Sequence, residues 1–213
     1  MTVDAIGLLQ EPVRRAVYEY VSAQVDPVGR DAVAGAVGVG RTLAAFHLDK
    51  LAAAGLLTIS FARPPGRTGP GAGRPAKLYR RAPDELTVSV PPREYRALAG
   101  ILAEALEDAG ADEAAVRAAY RRGLAQAPAG DLVEHLAGLG YEPVVDESEI
   151  RLRNCPFGTV AHEFPPLVCG LNLGLVRGML AGCGRPESDA RLDPGPAGCC
   201  VAIRRGESKD KEH

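Results

Sequence analysis

The chain contains no tryptophan, only four phenylalanines and six tyrosines, and no long uninterrupted apolar run. Since a membrane-spanning helix needs about 20 consecutive apolar residues, the sequence excludes helices of that kind. The first residues, MTVDAIGLLQEPVRR, also lack the basic segment followed by an apolar one that marks a secretion signal. We therefore expect a cytoplasmic protein that has no membrane partner.

Common catalytic and metal-binding motifs are missing as well. The chain has no Gly-x-Ser-x-Gly elbow, no phosphate-binding Gly-x-x-x-x-Gly-Lys-Ser/Thr, no His-Glu-x-x-His and no dinucleotide fingerprint, so we do not expect an enzyme. No two of the five cysteines are spaced as Cys-x-x-Cys, which argues against a zinc ribbon, a thioredoxin-type site and a ferredoxin-type motif. In a reducing cytoplasm these cysteines are expected to be buried apolar side chains, redox thiols or metal ligands.

Charge is unevenly distributed, although the net charge of the 213 residues is only -2. Residues 1–82 hold 11 Lys and Arg against 6 Asp and Glu, whereas residues 83–213 hold 14 against 21. Hydrophobic residues make up 46% of the chain and charged residues 24%, which is typical of a globular protein. At this length we expect two domains, a basic one suited to phosphate and an acidic one that phosphate repels.

The first part of the chain predicts a winged helix-turn-helix over residues 1–82. Apolar residues recur at helical spacing, Pro12 suits a first helical turn, and Gly38 and Gly55 suit helix ends. LLTISF and KLYR are typical strands on either side of a loop rich in glycine and proline. The predicted elements are helices 11–24, 30–37 and 41–54, then strands 56–61 and 77–80. The residues expected to face inward from the third helix are Leu43, Phe46, Leu48, Leu51 and Ala52.

The rest of the chain completes an α+β protein. Residues 83–128 predict a linker and helical region, residues 129–205 a small α+β domain, and residues 206–213 a disordered charged tail. The helical region should form amphipathic helices at 93–109 and 112–126, which either make a dimer interface or cover their own domain's core. The predicted elements of the α+β domain are helices 131–139 and 166–181, a short helix ending at 164, and strands 141–145, 149–153, 190–193 and 199–204.

Several polar side chains of the predicted winged helix are candidates for DNA contact. The third helix of this fold lies in the major groove, and the wing touches an adjacent minor groove or the backbone. The candidates on that helix are Arg41, Thr42, His47 and Lys50, of which His47 is equally compatible with a packed position. The candidates in and beside the loop are Arg63, Arg67, Arg74, Lys77 and Arg80. No acidic residue lies between Asp49 and Asp84, and such a cationic stretch suits phosphate, the alternative being a loop that is merely solvated.

The run GVGRTLAAFHLDKLAAAGLL, followed after the glycine-rich loop by GRPAKLYR, resembles the DNA-binding half of ArsR-like winged-helix regulators. It is similar above all to the SufR-type iron-sulfur-sensing repressors, over roughly residues 8 to 82. The resemblance implies a homodimer that binds an inverted-repeat operator in double-stranded DNA, as a repressor or as an activator.

The cysteines lie in the second part of the chain, as Cys155 in RNCPF, Cys169 in PLVCGLN, Cys183 in AGCGR and Cys199-Cys200 in GPAGCCV. Cys155 follows a predicted strand, Cys169 lies early in a predicted helix and Cys200 opens the last predicted strand, so three thiols from separate elements could converge. The SufR-like proteins resemble this part too, in a Cys-Pro-Phe segment, a second cysteine about a dozen residues on and a third near the last strand. That resemblance implies an iron-sulfur cluster, of the 4Fe-4S type if it is a cubane, held by Cys155, Cys169 and either Cys199 or Cys200.

The sequence leaves several details of this site open. Adjacent strand residues point to opposite faces, so only one of Cys199 and Cys200 should face the cluster, and we favour Cys200. Cys183 falls outside the pattern. A fourth ligand could be His162, Glu163 or His135, or one iron could remain open to solvent or to an oxidant.

The sequence as a whole predicts a DNA-binding transcriptional regulator whose cysteine-containing domain senses an iron-sulfur cluster or the redox state. One alternative is a winged-helix regulator whose second domain has no cluster and binds a small apolar molecule or uses free thiols. Another is a winged helix that makes only protein contacts.

Overall fold

The computed structural model describes residues 2–62, 75–83, 86, 88, 91, 93–194 and 199–205. The described residues form helices together with one three-stranded and one four-stranded antiparallel sheet, which confirms the mixed α+β class. The chain divides into two compact units, Met1–Arg93 and Glu94–His213, and each has a hydrophobic core of its own.

Unit 1 combines helices with a three-stranded antiparallel sheet. Its elements are α1 (Thr2–Gly7), α2 (Pro12–Ala23), β1 (Val28–Gly29), α3 (Arg30–Val37), α4 (Arg41–Ala53), β2 (Leu57–Ala62) and β3 (Ala76–Arg81). The side chain of Glu11 accepts hydrogen bonds from the backbone N–H groups of Val13 and Arg14, and thereby caps α2. Gly38 (φ 72°) and Gly55 (φ 78°) follow α3 and α4 with the left-handed backbone that glycine adopts readily. The predicted helices and strands of this part are therefore confirmed to within a few residues.

The sheet of unit 1 has the order β1-β3-β2, and Tyr79 of β3 lies between Val28 of β1 and Ile59 of β2. The sequence did not predict β1, because two residues carry no periodicity, nor did it predict α1. The residues between β2 and β3, including the predicted loop cations Arg63, Arg67 and Arg74, lie outside the described part of the chain.

The buried side of α4 consists of Ala44, His47, Leu48 and Leu51. Two residues expected to face inward, Leu43 and Phe46, are instead 43% and 50% exposed. At about 100° per residue, both lie well away from the middle of the buried arc, which the i, i+3, i+4, i+7 set starting at Ala44 defines. That part of the prediction was wrong.

Unit 2 combines a helical layer with a small sheet. Its elements are α5 (Tyr95–Asp108), α6 (Asp112–Ala125), α7 (Leu132–Gly138), β4 (Pro143–Val145), β5 (Glu149–Leu152), α8 (Gly158–Glu163), α9 (Pro165–Gly182), β6 (Ala190–Leu192) and β7 (Val201–Arg204). The sheet order is β4-β5-β7-β6, with every pair antiparallel. Asp131 caps α7 by accepting a hydrogen bond from the Glu134 N–H, as predicted. None of the helices in the described residues is sufficiently long and apolar to span a membrane.

Helices α6 and α9 pack so closely that their backbones touch. A Cβ atom added to Gly178 of α9 would lie 2.1 Å from the carbonyl oxygen of Tyr120, and one added to Gly123 of α6 would lie 2.0 Å from that of Leu175. Only glycine fits at such positions. The pair holds α9 in place, and α9 carries part of the site described next.

The last strand begins at Val201, so Cys199 and Cys200 both precede it. The expectation that Cys200 opens this strand was therefore wrong, and strand alternation does not govern which way the two thiols point. Hydrogen bonds from the Cys199 N–H to the Leu152 carbonyl (2.8 Å) and from the Asp193 N–H to the Cys200 carbonyl (2.7 Å) fix this segment between its neighbours.

Candidate functional site

Two places in the molecule collect the side chains that the sequence singled out. The first is the exposed side of α4 in unit 1, which we call the α4 surface and define as Arg41, Thr42, Leu43, Phe46 and Lys50. The second is a group of thiols in unit 2. We describe each by itself.

The cations of the α4 surface stand at the edges of the exposed arc. Arg41 begins the helix and forms an ion pair with Asp31 of α3 (Nε to Oδ1, 3.0 Å), with both side chains largely in solvent. Pairs exposed in this way contribute little to stability, so Arg41 can exchange its carboxylate for another anion at small cost. The Lys50 ammonium lies 5.4 Å from the centre of the Phe46 ring.

His47 lies on the opposite, buried side of α4, with only 5% of its surface exposed. Its Nδ1 is 3.7 Å from the Glu11 carboxylate and has no hydrogen-bond partner among the described residues. Burial lowers the pKa of His47 below its usual 6.5, and Arg14 and Lys50 lower it further, against the opposing effect of Glu11. The packed interpretation of His47 thus matches the structure, and this side chain is not part of the α4 surface.

Lys77 ties the sheet of unit 1 to α4. Its ammonium pairs with the carboxylate of Asp49 on α4, and the Tyr79 hydroxyl donates to the same carboxylate oxygen at 2.7 Å. The hydrogen bonds from Lys77 and Tyr79 lower the pKa of Asp49, so this acid is ionised and its charge is balanced. Lys77, a predicted DNA-contact residue, is therefore engaged within the unit, whereas Arg80 on the same strand is exposed.

In unit 2 four cysteines from three parts of the chain come together. Cys155 follows β5, Cys169 lies in the second turn of α9, and Cys199 and Cys200 precede β7. The thiols of Cys155 and Cys199 are close enough for each to shift the other's pKa, as are those of Cys199 and Cys200, and the Cys169 thiol raises the pKa of Cys200. We call these four residues the cysteine row. Convergence of three elements was predicted, but the sequence did not show that both adjacent cysteines take part.

A buried polar pair supports one member of the row. Asn172 of α9, with none of its surface exposed, donates from Nδ2 to the Cys199 sulfur at 2.9 Å. Its other amide atom, Oδ1, accepts a hydrogen bond from the Tyr141 hydroxyl at 2.7 Å. Neither Tyr141 nor Asn172 was singled out from the sequence, although an asparagine within the apolar run of α9 was the available signal.

These contacts distinguish the thiols chemically. Hydrogen bonds from Cys155, from the Val201 N–H and from Asn172 hold the pKa of Cys199 well below its usual range, despite burial. The pKa of Cys155 is raised, chiefly because its thiol donates to Cys199, and burial raises the pKa of Cys200. The row thus favours a thiolate at Cys199, and thiolate is the form that attacks electrophiles and binds soft metals.

The predicted additional ligands are not brought into the row. His162 is exposed on α8, and Glu163 pairs with Arg96 at 3.2 Å. His135 lies on α7 and has a buried Nε2 with no partner in the described part of the chain. Cys183 makes its own contact, to the Pro128 carbonyl at 3.7 Å.

The cysteine row fits an iron-sulfur cluster by the chemistry of its donors, because such clusters are held by cysteine thiolates. Within the described residues, no group of three or more His, Cys, Asp or Glu surrounds a point where a single metal ion could sit. The cysteines of a cluster bind different iron atoms and need not surround one point. Compared with known protein families, curated proteins and solved structures, the chain has no match.

Proposed function

We propose that this protein is a DNA-binding transcriptional regulator, acting as a repressor, in which unit 1 is a winged helix and unit 2 is a cysteine-based sensor. The observation that carries the proposal is the α4 surface. Its helix buries one side in the core of unit 1 and presents Arg41, Thr42 and Lys50 on the other. A helix in that position can enter a major groove, where Arg binds guanine edges or phosphate and Thr binds bases or a thymine methyl group.

The charge of unit 1 also supports DNA as the partner. Residues 1–82 carry a net excess of five positive charges, and the only acid on the exposed side of α4, Asp49, is balanced by Lys77. The antiparallel strands β2 and β3 are the stem of the wing, to which the sequence adds Arg63, Arg67 and Arg74. A unit with such an excess of cations provides the salt-dependent attraction that duplex phosphates require.

Binding of DNA is tested by fluorescence anisotropy, with duplexes selected from a random pool and titrated at several salt concentrations. We expect affinity to fall steeply with salt, and Arg41→Ala and Lys50→Ala each to reduce the slope of log K against log salt by about 1 if they contact phosphate. Arg121→Ala, an exposed arginine of unit 2, is the matched control and should change neither affinity nor slope. If the selection yields no duplex that the protein binds, the proposal is overturned.

For unit 2 we propose that the cysteine row holds an iron-sulfur cluster through Cys155, Cys169 and one or both of Cys199 and Cys200. When bound, such a group supplies a redox change to which DNA affinity can be linked. The residues themselves present sulfur donors from three elements, and Asn172 fixes the orientation of Cys199. Loss or oxidation of the group would alter repression only if the bound form favours one arrangement of the recognition helices.

The cluster is tested by purifying the protein without oxygen, measuring iron and acid-labile sulfide, and recording visible absorption. Cys155→Ser, Cys169→Ser and at least one of Cys199→Ser and Cys200→Ser should lower the iron content, whereas Cys183→Ser should retain it. An iron-free protein whose visible spectrum is empty contradicts the cluster.

A second function for unit 2 is favoured by the proximity of Cys155 and Cys199, since two neighbouring thiols, one of which has a lowered pKa, can form a reversible disulfide. In that case the regulator responds to oxidants without iron. Mass spectrometry after peroxide treatment should then find the Cys155–Cys199 link, and DNA affinity should change in step with it.

A further inference from the structure

We propose that Phe46 reads thymine, by packing its ring against the 5-methyl group that this base presents in the major groove. The inference rests on the proposed DNA-binding function and goes one step beyond it, by naming a specificity-determining residue and its ligand. The sequence had assigned Phe46 to the core.

The ring of Phe46 is placed where a core residue would not be. It is 50% exposed in the middle of the α4 surface, one turn after Thr42 and one turn before Lys50. Full burial of a phenylalanine favours folding by about 1.5–3 kcal/mol, and much of that gain is forgone here. An aromatic side chain that is left half in water on a helix of this kind is available to a partner.

Neighbouring side chains hold the ring in a defined orientation. The His47 ring packs edge-on against it, with centroids 5.3 Å apart and planes at 67°. The Lys50 ammonium lies over it at 5.4 Å. His47 is itself buried, so one side of Phe46 is anchored to the core of unit 1. A fixed ring loses little freedom when it binds.

The charges around Phe46 decide between a nucleic acid and a protein as its partner. Arg41 and Lys50 stand at opposite edges of the exposed arc, and Asp49 between them is balanced by Lys77 and Tyr79. A protein surface that covered Phe46 would have to bury the exposed Arg41–Asp31 ion pair and the Lys50 ammonium. In a major groove the same cations can reach the phosphates while the apolar centre meets the base edges. The thymine methyl is the apolar group on those edges, and phenylalanine is one of the residues that contact it.

The test replaces thymine by deoxyuridine, one position at a time, in a duplex selected for binding the full-length protein. Uracil pairs like thymine but lacks the methyl group, so the substitution removes the proposed contact alone. At one or two positions the wild-type protein should bind the uracil duplex about fourfold more weakly, which corresponds to one buried methyl group. Phe46→Ala should bind both duplexes equally, and Phe46→Leu should keep part of the discrimination.

The control is Phe61→Ala, which removes an exposed phenylalanine from β2 and should leave the thymine-to-uracil ratio unchanged. Circular dichroism of each variant verifies that it is folded. If no duplex binds the wild-type protein, the proposed function itself fails. If duplexes bind but thymine and uracil are equivalent at every position, or if Phe46→Ala discriminates at the same positions as the wild type, the assignment of Phe46 is wrong while DNA binding stands. If Phe46→Ala changes only the oligomeric mass, the ring serves a protein interface and the assignment is also overturned.

Discussion

At the scale of single residues, the most informative side chain is Asn172, because it is fully buried and uses both amide atoms. It donates to Cys199 and accepts from Tyr141. Buried polar groups are costly when unpaired, so such a pair is kept only where both partners are satisfied. The pair joins α9 and the segment before β4 to the cysteine row.

Replacing both members of this pair should cost less than the sum of the two single replacements. Asn172→Leu leaves the Tyr141 hydroxyl without its acceptor, and Tyr141→Phe leaves Asn172 Oδ1 without its donor. Each should lower the free energy of unfolding by about 1–3 kcal/mol. The double variant should lose less than the sum, because no unpaired group is created between the two positions. Urea denaturation followed by circular dichroism measures all four proteins, and strictly additive losses would show that the bond contributes nothing.

The burial of His47 predicts how the stability of the protein depends on pH. Burial keeps its folded-state pKa below the 6.5 of an exposed histidine, so the unfolded chain binds the proton more readily. Stability contributed by His47 is therefore complete above pH 6.5 and declines as pH falls below it, by at most about 1.4 kcal/mol per pH unit. The Glu11 carboxylate moderates this effect, whereas Arg14 and Lys50 strengthen it.

Denaturation at pH 7.5 and 5.5 compares the wild type with His47→Leu. The variant should be the less sensitive of the two to acid, since its position 47 cannot take up a proton. Equal pH dependence in both proteins would mean that His47 does not carry the effect.

At the scale of elements, most helices and strands could be predicted from apolar periodicity and from their caps. Pro12, Asp131 and the glycines after α3 and α4 indicated where helices begin and end. The features that the sequence did not predict depend on contacts between residues that are far apart in the chain. The two residues of β1 become a strand only because Val28 pairs with Tyr79, 51 positions further along the chain. Likewise, the phase of α4 was misjudged because periodicity alone does not fix which edge of an apolar arc meets the core.

In the candidate site, too, some features could be predicted from the sequence and others could not. Three of its elements could be expected from the positions of Cys155, Cys169 and the last cysteines. Strand alternation predicts that only one of Cys199 and Cys200 faces the site. The structure puts both in the row, because neither lies in a strand. Asn172 and Tyr141 are 31 residues apart, and no local pattern announces their bond.

Contact between α6 and α9 can be tested at the level of these two helices. Gly178→Ala would place a Cβ atom 2.1 Å from the Tyr120 carbonyl oxygen, so the backbones must separate. We expect the free energy of unfolding to fall by about 1–3 kcal/mol, as in other overpacked cores.

Gly170→Ala is the matched control for Gly178→Ala. It lies two turns earlier on α9, where a Cβ atom would meet Val116 Cγ2 at an ordinary 3.5 Å. Because alanine favours helix over glycine, this variant should be as stable as the wild type or up to about 1 kcal/mol more stable. Equal stabilities of the two variants would show that α6 and α9 are not in backbone contact.

At the scale of the whole molecule, the homodimer that the sequence resemblance implies requires a surface on which two copies can meet. Helix α5 provides one, because its apolar stripe faces solvent. Tyr95 is 70% exposed, Leu98 52%, Ile101 63% and Leu102 55%. Contiguous apolar patches of this kind commonly mark an interface between proteins. Two copies joined through unit 2 would present two recognition helices, as an inverted-repeat operator requires.

Ile101→Glu should break such a dimer, since it places a carboxylate inside the stripe and burying it without a partner is costly. By sedimentation velocity we expect the wild type at twice the chain mass of 22.3 kDa and the variant at the chain mass. Ala114→Glu adds the same charge at an exposed position of α6 and should remain dimeric. The monomeric variant should retain weak binding to a single half-site and lose its preference for two half-sites on one duplex, because that preference depends on linking two units. A wild-type monomer, or an Ile101→Glu dimer, would exclude α5 as the contact between copies and leave operator symmetry without a structural basis in this helix.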